Sequence, residues 1–438
     1  MAVIEIESPV ELPAPRTLAE TGLRPDEILH LLVKALNNVG ELTGMELAER
    51  LGLGFSVIEP GVDMMKAQRL CEIVGGTSLG PPSYRYRITQ LGREHAATFL
   101  ERNMYTGVAP VPLDQYRRYM LAFKNTVNQP ATRRQVKEAF GHLVLSDRVL
   151  DQLGPAINAG HSLFVYGPPG NGKTVIAQGI RNVLPGDMWI PHAIEVDGSL
   201  IQVFDPVNHE RLPDEVLGPG LESTVRHDGR WVHCRRPAVM VGGELQLEHL
   251  ELTYSAHAGF YRAPIQLLAN GGVLIIDDFG RQQCSPQSIL NRWITPLESR
   301  TDYLSLQSGQ KVAIPFMVLP VFATNIKPAE LVDEAFLRRI HYKVAAENPT
   351  EADFHQIFAN CCHERELSFD PAIVTDLLTR VYPQHQAKMR GCQPRDLIEQ
   401  ALALALYREE PPQLTPELLE AACATYFVDE DQGVARLH

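Results

Sequence analysis

The residues best suited to chemistry lie near the middle of the chain, in Gly167-Pro168-Pro169-Gly170-Asn171-Gly172-Lys173-Thr174. This run satisfies G-x-x-x-x-G-K-S/T, a pattern that wraps backbone around phosphate. Glycines let the chain turn tightly, so that its N–H groups point at phosphate oxygens. The helix that starts at the loop adds a partial positive charge. Lys173 would reach the β- and γ-phosphates of a nucleotide, and the Thr174 hydroxyl would ligate Mg2+. Val175 completes the expected phosphate-binding set. The flanks agree. Leu163-Phe164-Val165-Tyr166 reads as a short apolar strand, Val175, Ile176, Ile180, Val183 and Leu184 follow at helical spacing, and Pro185-Gly186 stops the helix. A surface turn would explain the glycines but not this ordered context.

Further down the chain, Val273-Leu274-Ile275-Ile276-Asp277-Asp278 is an apolar strand ending in two carboxylates. Asp277 stands where a Mg2+ ligand is needed, and Asp278 where a second carboxylate could polarise an attacking water. Taken alone, the pattern also fits a strand followed by a turn. A second apolar run, Val318 to Thr324, ends in Asn325, whose amide could hold that water or touch the γ-phosphate. The short helix pattern from Asp333 to Ile340 ends in Arg338 and Arg339. These are either solvated or fingers directed at a neighbouring subunit's phosphate.

Over roughly residues 134–430 these motifs, in this order, resemble the AAA+ ATPases. The resemblance implies Walker A at 167–174, Walker B at Asp277 and Asp278, sensor 1 at Asn325, and an arginine finger at Arg339 with Arg338 as its rival. Gly391-Cys392-Gln393-Pro394-Arg395-Asp396-Leu397 resembles the sensor 2 motif, which would bring Arg395 back to the nucleotide from a helical lid. Phe140-Gly141-His142-Leu143 and the helix from Asp147 to Leu153 resemble the segment that frames adenine. The run Gly259 to Gly272 is similar to that of magnesium-chelatase-like, MoxR-type and enhancer-binding members. So is the expected β-hairpin around Ser308-Gly309, with strands 301–306 and 310–314. Phe260 and Tyr261 in that run would face either a ring pore or the core. The fold implied is α/β: an αβα core of the P-loop NTPase type, a C-terminal helical lid and an N-terminal winged-helix-like α+β domain. The implied cofactors are ATP and Mg2+. The implied assembly is a homo-oligomeric ring, a hexamer, that hydrolyses ATP and remodels a protein client. The alternatives are an ATP-controlled DNA-binding regulator and a nucleotide-dependent scaffold. Two features depart from the family: Asp278 replaces the usual Glu, and a β insertion lies at about 197–258. Asp is one methylene shorter, which predicts slow hydrolysis.

The elements that must position these residues divide the chain as follows. Residues 1–20 read as an extended, proline-punctuated leader, 21–104 as the winged-helix-like domain, 105–133 as a linker, 134–345 as the core and 346–438 as the lid. In the first domain, helices are expected at 26–36, at Thr43 to Gly52 behind a Thr43/Glu46 capping box, and from Pro60 to about Ile73, followed by a strand at 84–88 and a helix at 90–103. Residues 21–104 carry nine Lys/Arg against ten Asp/Glu. That balance offers weak footing for DNA, although Lys66, Arg69, Arg85 and Arg87 could form a local patch. A helix over Leu113–Lys124 is expected in the linker.

Composition sets the outer limits. The chain has 438 residues and a formal net charge of −13, which argues against a protein built mainly to coat nucleic acid. Its 7 cysteines lack framework spacing and read as reduced thiols of a cytoplasmic protein. No apolar run is long enough to span a bilayer, and the acidic, alternating N-terminus is unlike a signal peptide.

Overall fold

The computed structural model describes residues 10–76, 80–126, 130–213 and 227–427. The chain forms two compact units. One comprises Met1–Pro130, Leu184–Ile275 and Arg281–Pro320, the other Ala131–Val183, Ile276–Gly280 and Val321–His438. This division differs from the contiguous one expected from the sequence. Residues 184–275 group with the N-terminal third, and the C-terminal helices group with the phosphate-binding loop.

The first unit begins with a helical module of Pro25–Val39, Gly44–Leu51 and Phe55–Ala67, a three-stranded antiparallel sheet and the helix Gln90–Arg102. In the sheet, Arg85–Ile88 lies between Glu41–Thr43 and Cys71–Gly75. The capping box expected at Thr43 is present. Thr43 Oγ1 accepts from Glu46 N, and the Glu46 carboxylate accepts from Thr43 N at 2.7 Å. The third helix starts earlier than expected, capped by Gly54, so Pro60 sits in its interior. That helix ends at Ala67, and the residues assigned to its last turn instead form the strand Cys71–Gly75.

The segment expected to be a linker is part of the core. Tyr116, Tyr119, Met120 and Phe123 of the helix Leu113–Thr126 are buried in one apolar cluster with Trp189, Ile194, Ile201 and Trp231. Arg117 donates to Ala313 O at 2.7 Å, and Asn270 Nδ2 donates to Tyr116 Oη at 2.7 Å. An aromatic stripe at i, i+3 and i+7 gains too much by burial to remain a solvated connection. Around it lie a five-stranded sheet in the order Thr253–Ser255, Phe260–Arg262, Ser199–Gln202, Ala193–Val196, Val111–Pro112, and the ladder of Asp187–Pro191 with Trp231–Arg235. The insertion at 197–258 thus contributes real strands, and its residues 214–226 lie outside the described residues. Arg230 and Asp228, 2% and 5% exposed, form a buried ion pair at 2.8 Å. The guanidinium also donates to Thr21 O and to Gln115 Oε1. The expected hairpin is Thr301–Ser305 with Lys311–Pro315. Tyr261 is buried and its hydroxyl accepts from Gln307 N, while Phe260 packs on the N-terminal cluster; both aromatics serve the core.

In the second unit, Leu163–Tyr166 runs between two parallel neighbours. Val321 to Thr324 pair with it on one side, and Tyr342–Ala345 on the other. The first two are buried on both faces and read as continuous apolar runs, whereas Tyr342–Ala345 is partly exposed and carries Lys343. Helices Arg133–Ala139, Asp147–Ala159 and Lys173–Gly179 accompany them. The lid helices Glu351–Glu364, Pro371–Asp376, Gln393–Tyr407 and Pro416–Tyr426 share a separate core of Phe354, Phe358, Leu377, Leu397, Ala401 and Leu419. All seven cysteines are free thiols. Among the described residues, no helix is long and apolar enough to cross a membrane.

Candidate functional site

The loop after Leu163–Tyr166 is shaped by backbone that only glycine tolerates. Gly167 has φ +148, and a Cβ there would lie 2.3 Å from Ala346 O. Gly170 and Gly172 adopt φ +82 and +71, which turn the chain back to begin the helix Lys173–Gly179. Asn171 ties the loop down through Nδ2, which donates to Asn348 Oδ1 at 2.8 Å. Gly167 N donates to Thr324 O on the adjacent strand.

Lys173 is 8% exposed and its Nζ donates to Pro168 O at 2.8 Å, so the side chain folds over its own loop. Burial lowers its pKa, while the negative charges of Asp278 and Asp277 oppose that shift. Thr174 Oγ1 donates to Asp277 Oδ2 at 2.8 Å, joining the loop to the acidic turn. Asp277 Oδ1 accepts from Asp278 N at 3.0 Å. Asp278 has φ +47, a left-handed conformation that Asp tolerates better than most residues. Its Oδ1 accepts from Asn325 Nδ2 at 3.2 Å. Phe279 N donates to Ala323 O and Thr324 Oγ1 donates to Phe279 O, each at 2.7 Å, which fixes the turn on the Asn325-bearing strand.

These groups border a cavity of about 560 Å3. Pro169 to Val175, Asp277, Asp278, Asn325 and Arg395 all line it, so most of the expected site residues converge on one space. His142 and Leu143 reach it as well, whereas Phe140 is buried beneath Gly179. Arg395 pairs with Asp396 at 2.9 Å at the cavity wall. Arg338 and Arg339 do not line this cavity: Arg338 pairs with Glu334 at 2.6 Å, and the Arg339 guanidinium lies 6.0 Å from the Phe336 ring centre.

Sequence reasoning missed Arg390, whose guanidinium donates to Pro169 O at 2.7 Å. The adjacent backbone joins the same contact, as Cys392 N donates to Gly170 O at 2.7 Å and Gly391 N to Asn171 Oδ1 at 3.1 Å. The lid is thereby hydrogen-bonded to the glycine loop through three consecutive residues. Ile357, Asn360, Cys361 and Glu364 of the first lid helix complete the wall, and no local motif marks them.

The groups present fit a magnesium nucleotide. Glycine-loop amides and an ammonium suit phosphate. A hydroxyl hydrogen-bonded to a carboxylate supplies the few hard oxygen ligands that Mg2+ takes from protein when phosphates supply others. The strand, glycine loop and helix, with the acidic turn beside them, form a P-loop nucleotide site of the kind found in AAA+ proteins, suited to ATP and Mg2+.

More particularly, residues 148–202 match the family described as magnesium chelatase, subunit ChlI. Residues 350–425 match a domain of unknown function, DUF8689. Similar solved structures include a point mutant of Thermotoga maritima RuvB, at 13% identity over 65% of this chain and 73% of that one, with a TM-score of 0.40. The T. maritima RuvB Holliday junction branch migration motor matches at 13% identity over 65% and 72%, with a TM-score of 0.38. Brucella abortus NtrX in complex with ATP matches at 15% identity over 71% and 64%, with a TM-score of 0.39. No curated protein matches the chain.

Proposed function

We propose that the protein hydrolyses ATP and uses the cycle to remodel a protein client, as a homo-oligomeric ring, a hexamer, in the cytoplasm. The observation that supports this most is the acidic turn itself, with Thr174 on the Asp277 carboxylate and Asn325 on that of Asp278. Thr174 and Asp277 hold the metal, and Lys173 with the loop amides holds the phosphates. Mg2+ in that place neutralises phosphate charge and orients the terminal group. Asp278 accepts the proton of the attacking water, and Asn325 fixes the carboxylate in position. Arg395 joins the lid to the nucleotide. Arg339, with Arg338 beside it, reaches the phosphate of the next subunit, in keeping with its place outside its own cavity.

A protein client is favoured over DNA because three of the four basic residues that could form a patch, Lys66, Arg85 and Arg87, are engaged in ion pairs. Lys66 pairs with Asp63 at 2.6 Å, and Arg85 and Arg87 pair with Glu41 at 3.4 and 2.9 Å. The test is phosphate release measured across protein concentration. Specific activity that rises with concentration and is lost in Arg339→Ala supports a ring with shared sites. Activity independent of concentration and unchanged by Arg339→Ala refutes it. Salt-sensitive binding of duplex DNA by the full chain would favour the regulator reading instead.

A further inference from the structure

Far along the chain from the nucleotide loop, the first unit contains a second cavity, of about 330 Å3. It lies beside Pro25–Val39 and Gln90–Arg102, and Glu195, Gly198, Ser199 and Leu200 of the hairpin Ala193–Val196 with Ser199–Gln202 line it too. Lys34 of the helix Pro25–Val39 is only 4% exposed and lines the cavity. Among the described residues its ammonium makes one hydrogen bond, to Asn103 O at 3.1 Å, and no ion pair. An ammonium has three donors, so two remain for the cavity. Burying a charge without a counter-charge is costly, and proteins rarely leave one so without use. Burial pushes Lys34 down to about 8.

The surroundings add charge of both signs and apolar surface. His30 and Arg102 line the same cavity; burial first, then the charges of Lys34 and Arg102, lower the His30 pKa against the opposing Asp26 and Glu27. Leu31, Phe99, Tyr105 and Leu200 supply apolar walls, with the His30 ring centre 4.0 Å from that of Phe99. The Asn103 turn is rigid: its side chain accepts from Tyr105 N at 2.6 Å, and Met104 N donates to Ala258 O at 2.8 Å. Arg24, paired with Glu27, and the carboxylates of Asp26 and Glu195 line it too, and burial raises the pKa of Glu195.

We propose that this cavity is a binding site for a small organic carboxylate with an apolar body. The carboxylate sits on the Lys34 ammonium, and the body lies against Phe99, Tyr105 and Leu31. The bound anion supplies the counter-charge that Lys34 lacks. This site lies outside the ATPase reading and stands or falls independently of it.

The full-length protein is titrated with benzoate, and separately with benzamide and with inorganic phosphate, by ligand-observed NMR and calorimetry. The expected result is saturable benzoate binding at least tenfold tighter than benzamide, with Lys34→Met reducing it at least tenfold. Benzoate affinity should also fall as pH rises from 7 to 9.5, because the ammonium is lost around pH 8 while His30, with its lowered pKa, is already neutral. The pH series needs no variant, so the proposal stays testable if Lys34→Met folds poorly. Equal binding of benzoate and benzamide, absence of benzoate binding, a flat pH profile, or phosphate binding that excludes benzoate would each overturn it.

Discussion

Replacing Asp278 with Asn isolates the chemical step. The side chain keeps its size, and its remaining carbonyl oxygen can still accept from Asn325 Nδ2, now 3.2 Å from Asp278 Oδ1. The Asp277 carboxylate and its hydrogen bond from Thr174 are untouched. What is lost is the negative charge and the other carboxylate oxygen, and with them the basicity. Removing a positioned general base costs about 10²- to 10⁴-fold in rate, equivalent to roughly 2.7–5.5 kcal/mol of barrier. The left-handed backbone at Asp278, φ +47, suits Asn equally well, so folding should be unaffected. Nucleotide affinity should be unchanged or higher, because one negative charge leaves a site that receives an anion. The assays are steady-state phosphate release and equilibrium binding of a fluorescent ATP analogue. Turnover within twofold of the parent protein, at equal binding, would refute Asp278 as the base and leave a nucleotide-gated scaffold.

Two further predictions concern the frame. Arg230→Met should destabilise the protein by about 3–5 kcal/mol in urea unfolding, because it strands the buried Asp228 carboxylate. The double variant Arg230→Met with Asp228→Leu should recover most of that loss, and no recovery would argue that the guanidinium's other hydrogen bonds dominate. Gly170→Ala should weaken ATP binding about tenfold. It strains a residue at φ +82 by about 1–2 kcal/mol and places a Cβ 2.6 Å from Cys392 Sγ. Adding Cys392→Ala should relieve the contact but not the backbone strain, giving partial recovery in the same titration.

The sequence was most legible where local chemistry and global fold agree. The Thr43/Glu46 box marked its helix start because two side chains within one turn satisfy each other's backbone. Strand, glycine loop and helix were readable around Lys173, since positive φ and close approach leave few alternatives to glycine. Asp277, Asp278 and Asn325 could be placed at strand ends, although their mutual hydrogen bonds could not be read from order alone. The failures share a cause: tertiary context outweighed local pattern. Pro60 looked like a helix start, yet a helix begun at Phe55 absorbs it. Prolines on either side suggested a linker around a helix whose aromatic stripe is core. Arg390 escaped notice because its partner, Pro169, is 221 positions away. No local pattern marked Lys34, whose burial depends on residues distant in sequence such as Phe99, Tyr105 and Leu200.

Isothermal calorimetry of Mg·ATP into the full-length protein and its Lys173→Ala variant tests the nucleotide site most directly. The parent should take up one nucleotide per chain. The variant should bind at least about tenfold more weakly, since a hydrogen bond to a charged group is worth roughly 1.5–3 kcal/mol. Absence of uptake by folded parent protein, or equal affinity in the variant, would contradict the assignment of this loop.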